Sequence, residues 1–234
     1  MIGAGARARA RDEVLLYCHR MIAEHLVYFT SGNVSRRVEG EPDVIAMTPA
    51  ALPYDTMRAE DICLVTVVGT LVEGERRPTS ELPLHTLVYE RRPEVRAIVH
   101  IHSPAGMAMA ARGLTLPPFL TGLVGAVGGD VRTAPYARPG SPEMASHTSE
   151  ALHDRGACFL RSHGILAVGP TLAHAYNAAS VVEGAADAYL RILPFGEVPI
   201  LAQEEIDWLS RLWRAQGSSI EEGPTEAGSG ERPR

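Results

Sequence analysis

Residues 95–101, Val-Arg-Ala-Ile-Val-His-Ile, are the clearest buried strand in this chain, and a helical pattern stands on each side of the run. Before it, residues 80–91 read as a helix opening at a polar Thr79-Ser80 cap with Glu81 in its first turn; after it, residues 104–112 read as another. Strand side chains alternate between faces, so His100 and His102 project from one side while Val99 and Ile101 point to the other. Two imidazoles therefore converge near the end of a rigid apolar element.

The rest of the chain mixes the same two periods. Residues 12–26 place Val14, Leu15, Cys18, Met21, Ile22 and Leu26 at helical spacing. Residues 34–38 and 44–47 read as a hairpin, and the β-branched run 62–68 as a strand that returns at 71–73. The stretch from Gly122 to Gly129 does not follow the dinucleotide fingerprint and reads as having a turn or tight-packing role. Residues 142–153, 172–193 and 204–215 are helical in period, while 158–161 and 165–168 are strand pieces flanking Ser162-His163-Gly164.

A length of 234 residues, 45% of them apolar, predicts one full-sized domain at 11–216, with a flexible segment at 1–10 and a disordered Gly-, Ser-, Glu- and Pro-rich tail at 217–234. No apolar run approaches the roughly 20 residues of a membrane helix. The start of the chain has no apolar segment of the secretory kind, so the expected compartment is the cytoplasm. Cys18, Cys63 and Cys158 lie far apart with no Cys-x-x-Cys pair and read as buried apolar fillers.

Charge narrows the chemistry further. All 22 basic residues are arginine, and a chain without lysine cannot form a Schiff base, hold pyridoxal phosphate covalently or supply the lysine of a P-loop. The formal charge of −6 gives no broad attraction to nucleic acid or to an anionic membrane, so neither is expected as a partner.

The His-x-His pair has two readings: two nitrogen ligands for one Zn²⁺, or two satisfied polar histidines on a mixed-face strand. His163, between two apolar strand pieces, is either a third ligand or a turn residue before Gly164. Glu81 is either a first-turn acid favoured by the helix dipole or a general base beside a metal. His85, four residues on, faces the same side of the helix as a supporting or surface histidine. Thr30-Ser31-Gly32-Asn33 and Thr79-Ser80 offer hydroxyls, an amide and backbone N–H groups suited to a phosphate dianion, and ordinary N-capping explains each as well.

Taken in order, Thr30-Ser31-Gly32-Asn33-Val34-Ser35, Thr48-Pro49, Pro78-Thr79-Ser80-Glu81, Val99-His100-Ile101-His102-Ser103 and Ser162-His163-Gly164 resemble the class II aldolase/adducin family, over residues 11–193. Within it the likeness is greatest to enzymes acting on L-fuculose 1-phosphate. The resemblance implies a three-layer α/β/α fold with a mixed, mostly antiparallel central sheet. It also implies a homotetramer with active sites between subunits. By matching motifs, His100, His102, His163 and Glu81 would hold Zn²⁺, with Co²⁺ or Mn²⁺ as substitutes, and Glu81 would be the catalytic acid/base.

Gly32, Asn33, Ala50, Ala51, Thr79 and Ser80 would bind the phosphate of a sugar-phosphate substrate. The implied reaction is retro-aldol cleavage of a phosphorylated ketose to dihydroxyacetone phosphate and an aldehyde. A sugar-phosphate epimerase, decarboxylase or dehydratase uses the same site chemistry, and adducin-type members keep the fold as interaction modules without a metal. Two positions depart from the family pattern. Ala50-Ala51 stands where a hydroxyl residue and glycine are usual, and no tyrosine occurs in residues 116–121 or beyond Tyr189.

Overall fold

The computed structural model describes residues 2–218 and is built on one eight-stranded sheet. In chain order the elements are α1 (Ile2–Ala23), β1 (Asn33–Val38), β2 (Glu41–Met47), β3 (Cys63–Thr66), β4 (Leu71–Glu73), α2 (Leu82–Arg91), β5 (Ala97–Ile101), α3 (Pro104–Arg112), α4 (Thr121–Val127), β6 (Thr133–Ala134), α5 (Pro142–Leu152), β7 (Ala157–Leu160), β8 (Gly164–Gly169), α6 (Leu172–Ile192) and α7 (Gln203–Ser218). The strand order is β4-β3-β2-β1-β5-β8-β7-β6, and every pairing is antiparallel except β6 with β7.

Strand β5 lies near the middle of this order because it can be buried on both faces. Ala97, Val99 and Ile101 enter one hydrophobic core, shared with α1, α3, α4 and α6, while Ile98 enters the other, shared with α2 and α5. Full burial of a side chain the size of Val99 or Ile98 contributes about 1.5–3 kcal/mol, so alternation along this one strand joins both layers. The result is the α/β/α arrangement that the family resemblance implies.

Three local expectations are corrected. Helix α1 begins at Ile2, so the segment expected to be flexible is helical; Ala6 and Ala10 are buried, and Arg7 pairs with Glu41 at 2.6 Å. Helix α4 occupies Gly122 to Val127 of the Gly-rich stretch, because burial of Leu123, Val124 and Val127 outweighs the helix cost of Gly122 and Gly125. The turn and tight-packing role falls to Gly128 and Gly129 alone, where a Cβ would lie 2.4 Å from Trp213 and 2.5 Å from Arg155. Helix α2 opens at Leu82, one residue after Glu81, which makes Glu81 the N-cap residue instead of a first-turn acid. The three cysteines are buried and free, as expected, and burial pushes the Cys63 thiol up to about 11. The tail expected at 217–234 lies almost wholly outside the described residues. None of the described helices is long and apolar enough to cross a membrane.

Candidate metal centre

Four side chains from three places in the fold meet at one end of β5. His100 and His102 come from β5 and the residue following it, His163 from the turn between β7 and β8, and Glu81 from the cap of α2. One ring nitrogen from each histidine falls in a group whose members all lie within 4.8 Å of one another. His102 Nε2 lies 2.9 Å from His100 Nε2, and Glu81 reaches His163 Nε2 at 3.2 Å through Oε1 and His100 Nε2 at 3.3 Å through Oε2.

Backbone geometry makes this convergence possible. Ser162 has φ +56°, which turns the chain sharply before His163. Next to it, a Cβ on Gly164 would stand 2.3 Å from the carbonyl oxygen of Ile101 and 3.2 Å from ring atoms of both His100 and His102, so only glycine lets β8 approach the histidine pair. Gly32 plays the matching part on the other side of β5. It has φ +76°, and a Cβ there would lie 2.5 Å from the carbonyl oxygen of His100.

The donor chemistry fits a divalent cation. His100 Nδ1 donates to the carbonyl oxygen of Ile165 at 2.8 Å, so the neutral ring keeps its lone pair on Nε2, the atom aimed at His102 and Glu81. Burial, reinforced by the other two imidazoles, holds His102 down to about 3, and burial likewise drives His100 well below its ordinary value, so both rings are neutral at pH 7, the form in which an imidazole can bind a cation. Tetrahedral Zn²⁺ with bonds of 2.0–2.1 Å separates its nitrogen ligands by about 3.3 Å, close to the spacings between His100 Nε2 and its neighbours.

Glu81 is 5% exposed and is held by more than the histidines. Asn33 Nδ2 donates to Glu81 Oε2 at 2.9 Å, and Asn33 Oδ1 accepts from His85 Nε2 at 2.5 Å. His85 Nδ1 lies 2.7 Å from Ser35 Oγ, which lies 2.8 Å from the Tyr89 hydroxyl. Asn33, expected at the phosphate, thus has both polar side-chain atoms engaged with Glu81 and His85. His85 is wholly buried and, through desolvation, held down to about 4.

Ser35 and Tyr89 were not among the expected site residues, yet a signal for them exists. Asn33 and Ser35 alternate on one strand face, and Glu81, His85 and Tyr89 recur every fourth residue along α2 and its cap. Two polar stripes of this kind pack on each other.

The other expected phosphate residues lie close by. Thr79 N donates to the carbonyl oxygen of Thr48 at 3.1 Å and Ala50 N to that of Arg77 at 2.9 Å, which staples the Ala50-Ala51 loop to the segment leading to Glu81. Ser80 and Ala51 are exposed, and Ala51 holds the left-handed conformation at φ +54° where the family pattern has glycine.

The sequence matches the Class II Aldolase and Adducin N-terminal domain over residues 12–190. The chain belongs to the class II aldolase and adducin family. The chain is 32% identical over 209 residues, 89% of its length and 97% of the relative's, to 5-deoxy-D-ribulose 1-phosphate aldolase from Bacillus thuringiensis serovar kurstaki. It is 31% identical over 217 residues, 92% of this chain and 99% of the relative, to L-fuculose phosphate aldolase from Escherichia coli K12. The solved structure of an L-fuculose 1-phosphate aldolase superposes with a TM-score of 0.84 at 30% identity, covering 88% of this chain and 96% of that one. This family member is an enzyme of the lyase type, and its fold is that of the class II aldolases.

Proposed function

We propose that this chain is a zinc-dependent aldolase that cleaves a ketose 1-phosphate between C3 and C4, releasing dihydroxyacetone phosphate and an aldehyde. The observation that carries this reading is the joint presence of three convergent imidazoles and one buried carboxylate in a chain alike over most of its length to sugar-phosphate aldolases. A divalent ion held by His100, His102 and His163 would supply Lewis-acid polarisation of the ketose carbonyl and of an adjacent hydroxyl, the role that lysine fills in Schiff-base aldolases.

The chain's own residues do the rest. Glu81, fixed by Asn33 beside the histidines, takes the proton of the C4 hydroxyl as the C3–C4 bond breaks and the aldehyde forms, and gives it to C3, the carbon left behind. Backbone N–H groups and hydroxyls around Gly32, Ala50, Ala51, Thr79 and Ser80 hold the phosphate without a lysine. Both relatives act on a ketose phosphate whose aldehyde half ends in a methyl group, so a deoxy-ketose 1-phosphate of five or six carbons is the substrate class. The working form is a homotetramer with active sites at subunit interfaces, in the cytoplasm. Incubation of the zinc-loaded protein with L-fuculose 1-phosphate and 5-deoxyribulose 1-phosphate, with products identified by NMR and mass, tests the reading. Dihydroxyacetone phosphate is expected; an epimer, a decarboxylated product or no turnover on either sugar would overturn it.

A further inference from the structure

The buried polar residues beneath Glu81 have a defined direction. A carboxylate accepts and never donates, so the amide end of Asn33 facing Glu81 Oε2 is its NH₂ group, and Oδ1 is left facing His85. An amide oxygen accepts only, which puts the proton of His85 on Nε2 and the lone pair on Nδ1. Ser35 Oγ must then donate to Nδ1, and its oxygen is left to accept from the Tyr89 hydroxyl. Each hydrogen bond determines the next, and all of them run toward Glu81.

We propose that Tyr89, Ser35, His85 and Asn33 form a one-way hydrogen-bond relay that orients the carboxylate of Glu81, with His85 as a positioning residue acting through Asn33. The inference rests on the reading of Glu81 as the base. Exposure is 4% at Asn33, 0% at Ser35 and His85, and 1% at Tyr89, so the relay is shielded from solvent and its bonds polarise one another. A neutral imidazole both donates to the amide oxygen of Asn33 and accepts from the hydroxyl of Ser35, linking the two across its ring. Without it the amide of Asn33 is free to flip and set an acceptor against the Glu81 carboxylate, which would drive the base away from its place between His100 and His163. The relay touches neither of those ligands by hydrogen bond; it ends on Glu81. Its loss therefore acts on turnover more than on metal or substrate binding.

The test compares the zinc-loaded wild type with His85→Leu and His85→Gln on the cleaved ketose 1-phosphate. His85→Leu is expected to lower kcat by about 10- to 100-fold, with KM within about threefold and zinc stoichiometry kept. His85→Gln, whose amide can donate to Asn33 and accept from Ser35, is expected to recover a large part of that loss. Should His85→Leu fail to fold, Ser35→Ala removes the donor to Nδ1 and is expected to lower kcat by about three- to tenfold.

Independently of turnover, ¹⁵N–¹H long-range spectra of the wild type should show His85 as the Nε2–H tautomer at pH 7. An Nδ1–H tautomer, an unchanged kcat in His85→Leu or Ser35→Ala, or a loss confined to KM would overturn the relay. A wild type inactive on all ketose 1-phosphates would defeat the proposed reaction alone, and the tautomer would then decide the relay by itself.

Discussion

Asn33 Nδ2 lies 2.9 Å from Glu81 Oε2 across a separation of 48 residues in the chain. That single contact joins the first residue of β1 to the cap of α2. It places the carboxylate beside His100, the residue that pairs with Asn33 across the sheet.

Glu81→Gln should keep the metal and lose most turnover. The amide is isosteric and can still sit among the histidines, but it cannot accept a proton, and general-base catalysis contributes about 10²- to 10⁴-fold. Zinc analysis beside steady-state kinetics checks this; a variant within tenfold of wild-type kcat would remove Glu81 from the base role.

His163→Ala should abolish stoichiometric zinc while leaving the fold intact, because His163 is partly exposed on a turn and not part of either core. Ligands that bind only the folded state stabilise it by mass action, about 2.7 kcal/mol when present at 100 times Kd. Added zinc should therefore raise the Tm of the metal-stripped wild type and leave that of His163→Ala unchanged. Equal shifts in the two proteins would place the metal elsewhere.

The metal-free protein should lose stability on mild acidification. His85 is held at about 4 by burial, against an ordinary 6.5, so the unfolded chain binds a proton that the folded one resists. The contribution is whole above pH 6.5 and is lost as the pH falls toward and through 4, with a total on the order of 3 kcal/mol. His102, held at about 3, acts in the same direction. Urea melts between pH 7.5 and 4 measure the slope, and His85→Gln should flatten it. A slope identical in the two proteins would show that His85 does not resist protonation.

Ala51→Gly should stabilise the protein modestly. Ala51 sits at φ +54°, a left-handed conformation that costs a residue with a Cβ about 1–2 kcal/mol. Glycine relieves this and gives back part of the gain as unfolded-state entropy, leaving a net of about 0.5–1 kcal/mol. Chemical denaturation reads the difference, and a destabilised variant would contradict the strain.

Glu183→Ala should destabilise the protein. The carboxylate on α6 accepts from Ser103 Oγ at 2.5 Å, Ala105 N at 2.9 Å and Gly106 N at 2.7 Å, fixing the start of α3 directly after His102. Leaving these donors without a partner costs about 1–3 kcal/mol. A Tm equal to that of the wild type would show the contacts to be dispensable.

Much of this molecule was legible in the sequence because its decisive patterns are local. The alternation around His100 and His102 set the facing of β5, the β-branched run at residues 62–68 marked β3, and the long apolar period at 172–193 marked α6. The absence of lysine excluded Schiff-base chemistry before any element was placed. Helix α4 was not legible, since Gly122 and Gly125 oppose a helix locally and only the burial of Leu123 and Val127 against distant elements reverses that preference. The start of α1 was hidden for the same reason, its small alanines carrying little pattern until another surface covers them.

The site divides along the same line. Residue type and spacing singled out His100, His102, His163 and Glu81 as candidates, each with a plainer structural reading beside it, and the family resemblance joined them into one expected site. The tertiary structure alone decided that Asn33 serves Glu81 through its side chain, that His85 is buried between Asn33 and Ser35, and that Tyr89 closes the line. A hydrogen bond depends on where two chain segments meet in space, and the meeting of β1 with α2 is fixed by the packing of the whole sheet.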